Sequence, residues 1–176
     1  MSLKQQDIYV ILKILSQPGE RWSYVSLSES LRLSPSETNA AVKRAIQCGL
    51  MRPAFGTESN PQPMAAALLE FLAHGIRYVF PIQPGGLTRG VATGFAAPGL
   101  QMLMSESDEH MAVWPWAGGD CRGYAMSPLF RRAPEAVQDH PQFHAMLALT
   151  DVLRQSSPRG REVAIMKLKG MIERNA

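Results

Sequence analysis

The segment 34–47 carries polar side chains that could contact nucleic acid from one face of a helix. Its polar positions recur at steps of three and four residues, the spacing that places side chains on the same helix face. Asparagine can hydrogen-bond an adenine edge, and lysine or arginine can bind phosphate or guanine. Because this face carries no carboxylate, the pattern favours an anionic ligand. The face comprises Ser36, Asn39, Ala40, Lys43, Arg44 and Gln47.

The residues around that face predict where the helix begins and ends. Ser34 is the expected N-cap, Pro35 fits the first turn, and Glu37 completes a capping box. Gly49 is expected to end the helix. Ser34 and Ser36, close to the unpaired N–H groups of the first turn, could also hold a phosphate. The apolar side of the same helix comprises Val42, Ala45, Ile46 and Leu50.

Two helices are predicted before this segment and a ribbon after it. Residues 4–17 place Ile8, Ile11, Leu12 and Leu15 on one face, and Ser23 is the expected N-cap of a short second helix with Val25, Leu27 and Leu31 as its apolar positions. Residues 51–55 predict a short strand, followed by a turn-rich stretch to Pro61. Arg52 and Asn60 on this ribbon could touch the DNA backbone or the minor groove.

Residues 27–51, LSESLRLSPSETNAAVKRAIQCGLM, resemble the core of winged-helix bacterial transcriptional regulators of the multiple-antibiotic-resistance-regulator type. The shared features are the Leu-x-x-x-Leu of the second helix, the Leu-Ser-Pro-Ser turn, the Lys-Arg pair and the final Gly-Leu. The resemblance covers roughly residues 5–80. It implies a winged helix-turn-helix whose third helix enters the major groove of double-stranded DNA. The predicted DNA contacts are Ser34, Ser36, Asn39, Ala40, Lys43, Arg44, Gln47, Arg52 and Asn60.

The positive charge of the chain is concentrated around this segment. The whole chain has 18 basic and 15 acidic residues, a net charge of +3. Residues 32–52 alone hold four basic residues and one acidic residue, which is also a net +3. Such a small local excess predicts modest electrostatic affinity for each subunit. A homodimer that reads two half-sites would compensate, and we expect one.

The rest of the chain predicts an α+β protein in two parts. Residues 1–80 form the expected winged helix-turn-helix domain, with a helix over 63–74 that ends at Gly75 and a strand over 76–80. Residues 81–176 form the expected second part, for dimerisation, sensing or partner binding. It begins with a glycine-rich loop over 83–90, an acidic turn over 105–109 and strands over 111–116 and 121–126. A C-terminal helical hairpin follows, broken at 156–160. Its apolar stripes are Phe143, Met146, Leu147, Thr150 and Leu153, then Ala164, Ile165, Leu168 and Met171 or Ile172.

Other candidate sites are weaker. His140 and His144 are four residues apart beside Asp139, but Pro141 separates them and no further ligand follows at a recognised spacing, so no metal is expected. The glycine-rich loop lacks the Gly-Lys-Ser/Thr ending of a phosphate cradle. Catalytic motifs are absent, which predicts no enzyme and no cofactor. The aromatic residues Phe80, Trp114, Trp116 and Tyr124 are expected in the core. Cys48, expected beside a helix end, and Cys121 are expected to be free thiols.

The sequence therefore predicts a homodimeric, sequence-specific DNA-binding transcriptional regulator. One alternative is a protein-interaction module, such as an antitoxin that binds a partner protein through the C-terminal part. Another is a small ligand-binding protein or enzyme built around the glycine-rich segment. No apolar run reaches the roughly 18 residues of a membrane span, and no secretory signal is visible. A cytoplasmic location without membrane contact is expected.

Overall fold

The chain mixes helices and strands, which confirms the α+β class: a computed structural model describes residues 2–56, 59–103, 111–155 and 158–175, with 55% helix and 15% strand. The helices are α1 (Gln5–Leu15), α2 (Tyr24–Leu31), α3 (Pro35–Gln47), α4 (Ala65–Glu70), α5 (Ile76–Val79), α6 (Ala133–Ala136), α7 (Pro141–Arg154) and α8 (Pro158–Asn175). The strands are β1 (Met51–Arg52), β2 (Gln62–Pro63), β3 (Pro84–Thr93), β4 (Ala112–Pro115) and β5 (Cys121–Met126).

Helix α1 lies at the centre of the molecule. Every residue from Asp7 to Lys13 is buried, although the apolar stripe predicted only one buried face. The Tyr9 ring lies 5.1 Å from the Phe130 ring and 5.2 Å from the Phe143 ring, centroid to centroid. Residues of both predicted domains thus share one continuous apolar core. The division into 1–80 and 81–176 stays a prediction.

The three N-terminal helices begin and end close to the predicted positions. Ser23 caps α2 by accepting a hydrogen bond from the Ser26 amide, and Ser34 and Glu37 form the expected capping box at α3. Two details differ. Val25, predicted as an apolar contact of α2, is 57% exposed, because the packing face of this two-turn helix is complete with Leu27, Ser28 and Leu31. Cys48, predicted beside a helix end, is indeed the C-cap of α3, but it is exposed.

The chain after β2 is helical through Gly75, so the predicted stop at this glycine and the predicted strand over 76–80 are wrong. A wide π-helical turn, Phe71–Gly75, joins α4 to α5. A side chain at residue 75 would lie 2.9 Å from the Phe71 ring, so the glycine provides close packing rather than a helix end. Arg161 of α8 donates a 2.8 Å hydrogen bond to the Ala73 carbonyl within this turn.

The glycine-rich segment is strand β3, and the loop predicted over 83–90 is wrong. Antiparallel pairing with both β4 and β5, together with parallel pairing of β4 with β5, closes a three-stranded barrel. So small a barrel brings backbones very close together. A Cβ added at Gly90 would lie 2.0 Å from the Trp114 carbonyl oxygen, and one at Gly123 would lie 2.3 Å from the Met111 carbonyl oxygen. These glycines are therefore requirements of barrel closure rather than signs of a loop.

The C-terminal helical hairpin is confirmed. The predicted stripe of α7, from Phe143 to Leu153, is buried, and Ala164, Leu168, Met171 and Ile172 of α8 are buried too. Helix α8 begins at Pro158, so the predicted break is shorter than 156–160; residues 156–157 lie outside the described residues. Most of the predicted acidic turn, 105–109, belongs to another such stretch, 104–110. In the described part of the chain, no helix is long and apolar enough to cross a membrane.

Candidate nucleic-acid interface

The packing of α3 against α1 and α2 leaves one side of this helix in solvent. Thr38, Ala41 and Val42 are fully or almost fully buried on the inner side, and Ala45 continues this side one turn further on. Ser36, Lys43 and Gln47 are exposed on the opposite side, while Asn39 and Ala40 are half-buried at its margin. The exposed side thus presents a hydroxyl, an ammonium and a carboxamide along about three turns of helix. All three groups can contact phosphates or base edges.

Arg44 does not belong to this exposed face, so that part of the prediction is wrong. Its side chain points inward and is 6% exposed. The guanidinium forms a two-pronged ion pair with Asp7 of α1, with Nε 3.0 Å from both carboxylate oxygens and Nη2 2.5 Å from Oδ1. Residue 44 lies three positions after Ala41, which places it at the edge of the buried side. The Lys43–Arg44 pair thus divides into one exposed cation and one structural cation.

The N-terminus of α3 already holds an anionic group. Ser34 Oγ accepts a hydrogen bond from the Glu37 amide, and the Glu37 carboxylate accepts hydrogen bonds from the Ser34 amide at 2.9 Å and from the Ser34 hydroxyl at 2.7 Å. These bonds, with a smaller effect of the nearby Arg131, lower the pKa of the Glu37 carboxyl. A phosphate bound at Ser34 would therefore lie beside an ionised carboxylate, which disfavours the phosphate site that the sequence suggested at this serine.

The β1–β2 ribbon lies next to α3 and is fastened to the loop before α2. Its strands pair Met51 with Pro63 and Arg52 with Gln62. Arg52 is exposed, as its predicted contact requires. Asn60, also predicted to contact DNA, donates its side-chain amide to the Trp22 carbonyl at 2.5 Å. The amide of Asn60 thus positions the ribbon, and Arg52 is the ribbon cation that faces solvent.

Two further arginines near α3 were not among the predicted contacts. Arg32 is exposed at the turn between α2 and α3, where it has a left-handed backbone with φ of 57°. This turn is part of the basic segment 32–52, so its charge could have been noticed. Arg131 is exposed and close enough to Glu37 to affect the pKa of that carboxyl. Because it follows β5 by several residues, nothing local in the sequence indicates that it lies beside α3.

The side chains weighed for other chemistry have structural partners. His144 is buried, its Nε2 lies 2.7 Å from the Ala92 carbonyl oxygen, and burial lowers the pKa of its imidazole. Cys121 and Cys48 are unpaired, as predicted, and burial raises the pKa of the Cys121 thiol. Together with Asp120, His144 and Cys121 border a cavity of about 370 Å³. Among the described residues, no three His, Cys, Asp or Glu side chains form a group that could hold a metal ion.

The predicted aromatic cluster mostly belongs to the core. Trp114 is 1% exposed and donates its indole N–H to Asp151 at 2.6 Å, and Phe80 is buried against the Phe71 ring. Trp116 is half-buried, whereas Tyr124 is 44% exposed on the outside of the barrel. The expected core placement of Tyr124 is therefore wrong: strand alternation turns its side chain away from the interior.

Comparison with known proteins provides no relative for this chain. No family model, no curated protein and no solved structure matches it. Inferences about its function therefore depend on the positions, charges and contacts of its own residues.

Proposed function

We propose that the protein is a sequence-specific transcriptional regulator that binds double-stranded DNA through α3. In this proposal α1, α2 and α3 with the β1–β2 ribbon act as a winged helix-turn-helix. The observation that carries it is the solvent-facing side of α3, which offers Ser36, Lys43 and Gln47 without a carboxylate among them. A helix held clear of the protein body in this way has the dimensions that the major groove admits.

The burial of Arg44 changes the division of roles on this surface. Lys43 and Arg52 supply phosphate contacts, and Arg32 adds a third cation at the turn before α3. Gln47 and the half-buried Asn39 are the side chains suited to base edges, since a carboxamide can pair with adenine in the major groove. Phosphate contacts set affinity and register, and the carboxamides set sequence preference.

Three exposed cations per chain are few for tight binding, which supports a homodimer as the DNA-binding form. Each phosphate neutralised contributes a salt-dependent part of the affinity, so two copies double that contribution. In a two-fold dimer the α3 helices would enter successive major grooves about 34 Å apart. The apolar stripes of α7 and α8 pack within the chain, so the hairpin offers little apolar surface for this dimer beyond Met166, which is 70% exposed. Light scattering on the purified protein measures the oligomeric state directly.

The decisive experiment compares Lys43→Ala with Lys167→Ala, an exposed lysine of α8 that removes the same charge elsewhere. Duplex binding is measured by fluorescence anisotropy at several salt concentrations. Lys43→Ala is expected to weaken binding about tenfold and to reduce the slope of log affinity against log salt by about 0.9, the value for a single neutralised phosphate. Lys167→Ala should leave both unchanged. Equal binding by both variants would remove α3 from the interface.

A second experiment addresses base recognition. Selection from a randomised duplex pool, first with the wild-type protein and then with Gln47→Ala, compares their sequence preferences. The variant should select a less defined sequence while its salt slope stays the same, because a carboxamide neutralises no phosphate. An identical preference in the two pools would show that Gln47 reads no base.

A further inference from the structure

A second charged surface lies on the outside of the barrel, far in sequence from α3. Strands β3 and β5 pair antiparallel with Arg89 directly opposite Arg122 and Leu87 directly opposite Tyr124. Residues two apart on a strand share a face, so these four side chains project from one side of the ribbon. All four are exposed, including the apolar Leu87 at 64% and Tyr124 at 44%. We call these four residues the arginine face.

The two arginines oppose each other without a compensating acid. Neither forms an ion pair within the described ranges of the chain. Guanidinium groups stay charged at all physiological pH values, and like charges directly opposite on paired strands are destabilising. An anion held between or across the two guanidiniums would remove that repulsion. The arginine face is therefore complementary to a ligand with closely spaced negative charges.

The apolar half of the face narrows the class of ligand. Leu87 and Tyr124 adjoin the arginines, so a ligand that covers the whole face must carry apolar or aromatic surface next to its anionic groups. Single-stranded nucleic acid has this composition, with phosphates along the backbone and unstacked bases beside them. The bases of a duplex are stacked on one another and are not available to such a surface. The barrel is closed, so contact must come from side chains rather than from a free strand edge.

We propose that the arginine face binds single-stranded nucleic acid, with Arg89 and Arg122 on neighbouring phosphates and with Leu87 and Tyr124 against the bases. This activity is separate from the duplex binding proposed for α3. It uses different residues and a different form of nucleic acid, so either activity can fail without the other.

The test is fluorescence anisotropy of the full chain with a labelled 20-nucleotide single strand of mixed sequence, and with the corresponding duplex, over a range of salt. The variant Arg89→Ala/Arg122→Ala should bind the single strand at least about tenfold more weakly, with a salt slope smaller by about 1.4, or about 0.7 for each phosphate that is no longer neutralised. Its duplex binding should stay at the wild-type level. Circular dichroism confirms that the variant is folded.

Two further variants separate this surface from general positive charge. Arg159→Ala/Lys167→Ala removes two exposed cations of α8 and should leave single-strand binding unchanged. Tyr124→Ala should weaken single-strand binding about fivefold at constant salt slope, and Tyr124→Phe, which keeps the ring, should restore it. The proposal is overturned if the wild type does not bind the single strand, if both double variants weaken binding equally, or if only an acidic peptide competes for the arginine face.

Discussion

Each half of the molecule contains a buried aspartate–arginine pair, and the two pairs have different surroundings. Asp7 and Arg44 join α1 to α3, and the Asp7 carboxylate also accepts a hydrogen bond from the Lys4 amide at 2.8 Å. Asp151 and Arg154 both lie on α7, 2.8 Å apart. Asp151 also accepts hydrogen bonds from Trp114 of β4 and Thr93 of β3, while Arg154 donates to the Phe80 and Ser127 carbonyls.

The difference shows how each half is held together. The N-terminal pair fastens two helices that each have their own caps and apolar stripes, so it adjusts how α3 is presented. The C-terminal pair connects α7 to two strands and to the chain on either side of the barrel, whose short strands have few local signals. Burial raises the pKa of the Asp151 carboxyl, and the Arg154, Trp114 and Thr93 contacts oppose that rise. We therefore expect the second pair to matter more for stability.

The largest effect is expected from Arg154→Ala. This change leaves the buried Asp151 carboxylate without its cation and leaves the Phe80 and Ser127 carbonyls without their donors. Removing one partner of a buried ion pair costs about 3–5 kcal/mol, and the unsatisfied carbonyls place this variant at the upper end or beyond. Urea unfolding followed by circular dichroism measures the change in stability.

The matched control for that prediction is Arg132→Ala, which removes a half-exposed i,i+3 pair with Glu135. Surface pairs contribute about 0–1 kcal/mol, so the control should unfold almost like the wild type. If Arg154→Ala and Arg132→Ala had similar stabilities, the buried network would not hold the barrel to α7.

Arg44→Ala is expected to have the next largest effect, a destabilisation of about 3 kcal/mol, because it leaves Asp7 buried and uncompensated. Its neighbour provides the control, since Lys43→Ala removes an exposed charge and should change stability by less than about 0.5 kcal/mol. The double variant Asp7→Leu/Arg44→Met should recover most of the stability, since apolar side chains of similar volume can replace a buried pair. Thermal and urea unfolding of the four proteins measures this. A double variant as unstable as Arg44→Ala would mean that the pair itself is required.

The same contrast separates what the sequence could predict from what it could not. Helices α1, α2 and α3 follow from caps and apolar spacing within a few residues of each site, and the hairpin of α7 and α8 follows in the same way. The barrel does not, because Gly90 is a strand residue only once the Trp114 backbone lies against it. A glycine that permits close packing and a glycine that makes a turn are identical in the sequence.

The candidate site shows the same limit on a smaller scale. The exposure of Ser36, Lys43 and Gln47 follows from helix periodicity, and the structure has them in solvent. The burial of Arg44 depends on Asp7, which lies 37 residues earlier in the chain. The position of Arg89 opposite Arg122 likewise depends on strand register, which no local pattern specifies. Sequence spacing identified the helix face, and long-range contacts decided which of its charges reach solvent.

Lys13 offers a smaller effect of opposite sign in the N-terminal half. Its side chain is fully buried over the Phe143 ring, its ammonium has no hydrogen-bond partner in the described part of the chain, and burial lowers its pKa to about 8. Lys13→Met should stabilise the fold by about 2 kcal/mol at pH 7, because the folded state no longer has to bury a charge.

The pH dependence of stability tests the cause of that effect. Between pH 8 and pH 10.5 the folded wild type has already released the Lys13 proton while the unfolded chain still binds it, so wild-type stability should rise over this range. The advantage of Lys13→Met should therefore shrink as the pH approaches 10.5. Urea unfolding at pH 7, 9 and 10.5 measures both proteins. A constant difference between them would assign the effect to packing rather than to charge.

The smallest effect is expected from Ser34→Ala, which removes the N-cap of α3 and should cost about 1 kcal/mol. The pKa of Glu37 is lowered chiefly by its hydrogen bond from the Ser34 amide and then by that from the hydroxyl, so the ionised carboxylate stabilises the fold above its unfolded pKa of about 4.5. That stabilisation disappears as the pH falls through the lower folded pKa. Below that pKa the wild type and Ser34→Ala should therefore differ less than at pH 7, as measured by unfolding at pH 7 and pH 3. A cap effect of equal size at both pH values would show that the hydroxyl acts on the helix N–H groups alone, without the Glu37 carboxylate.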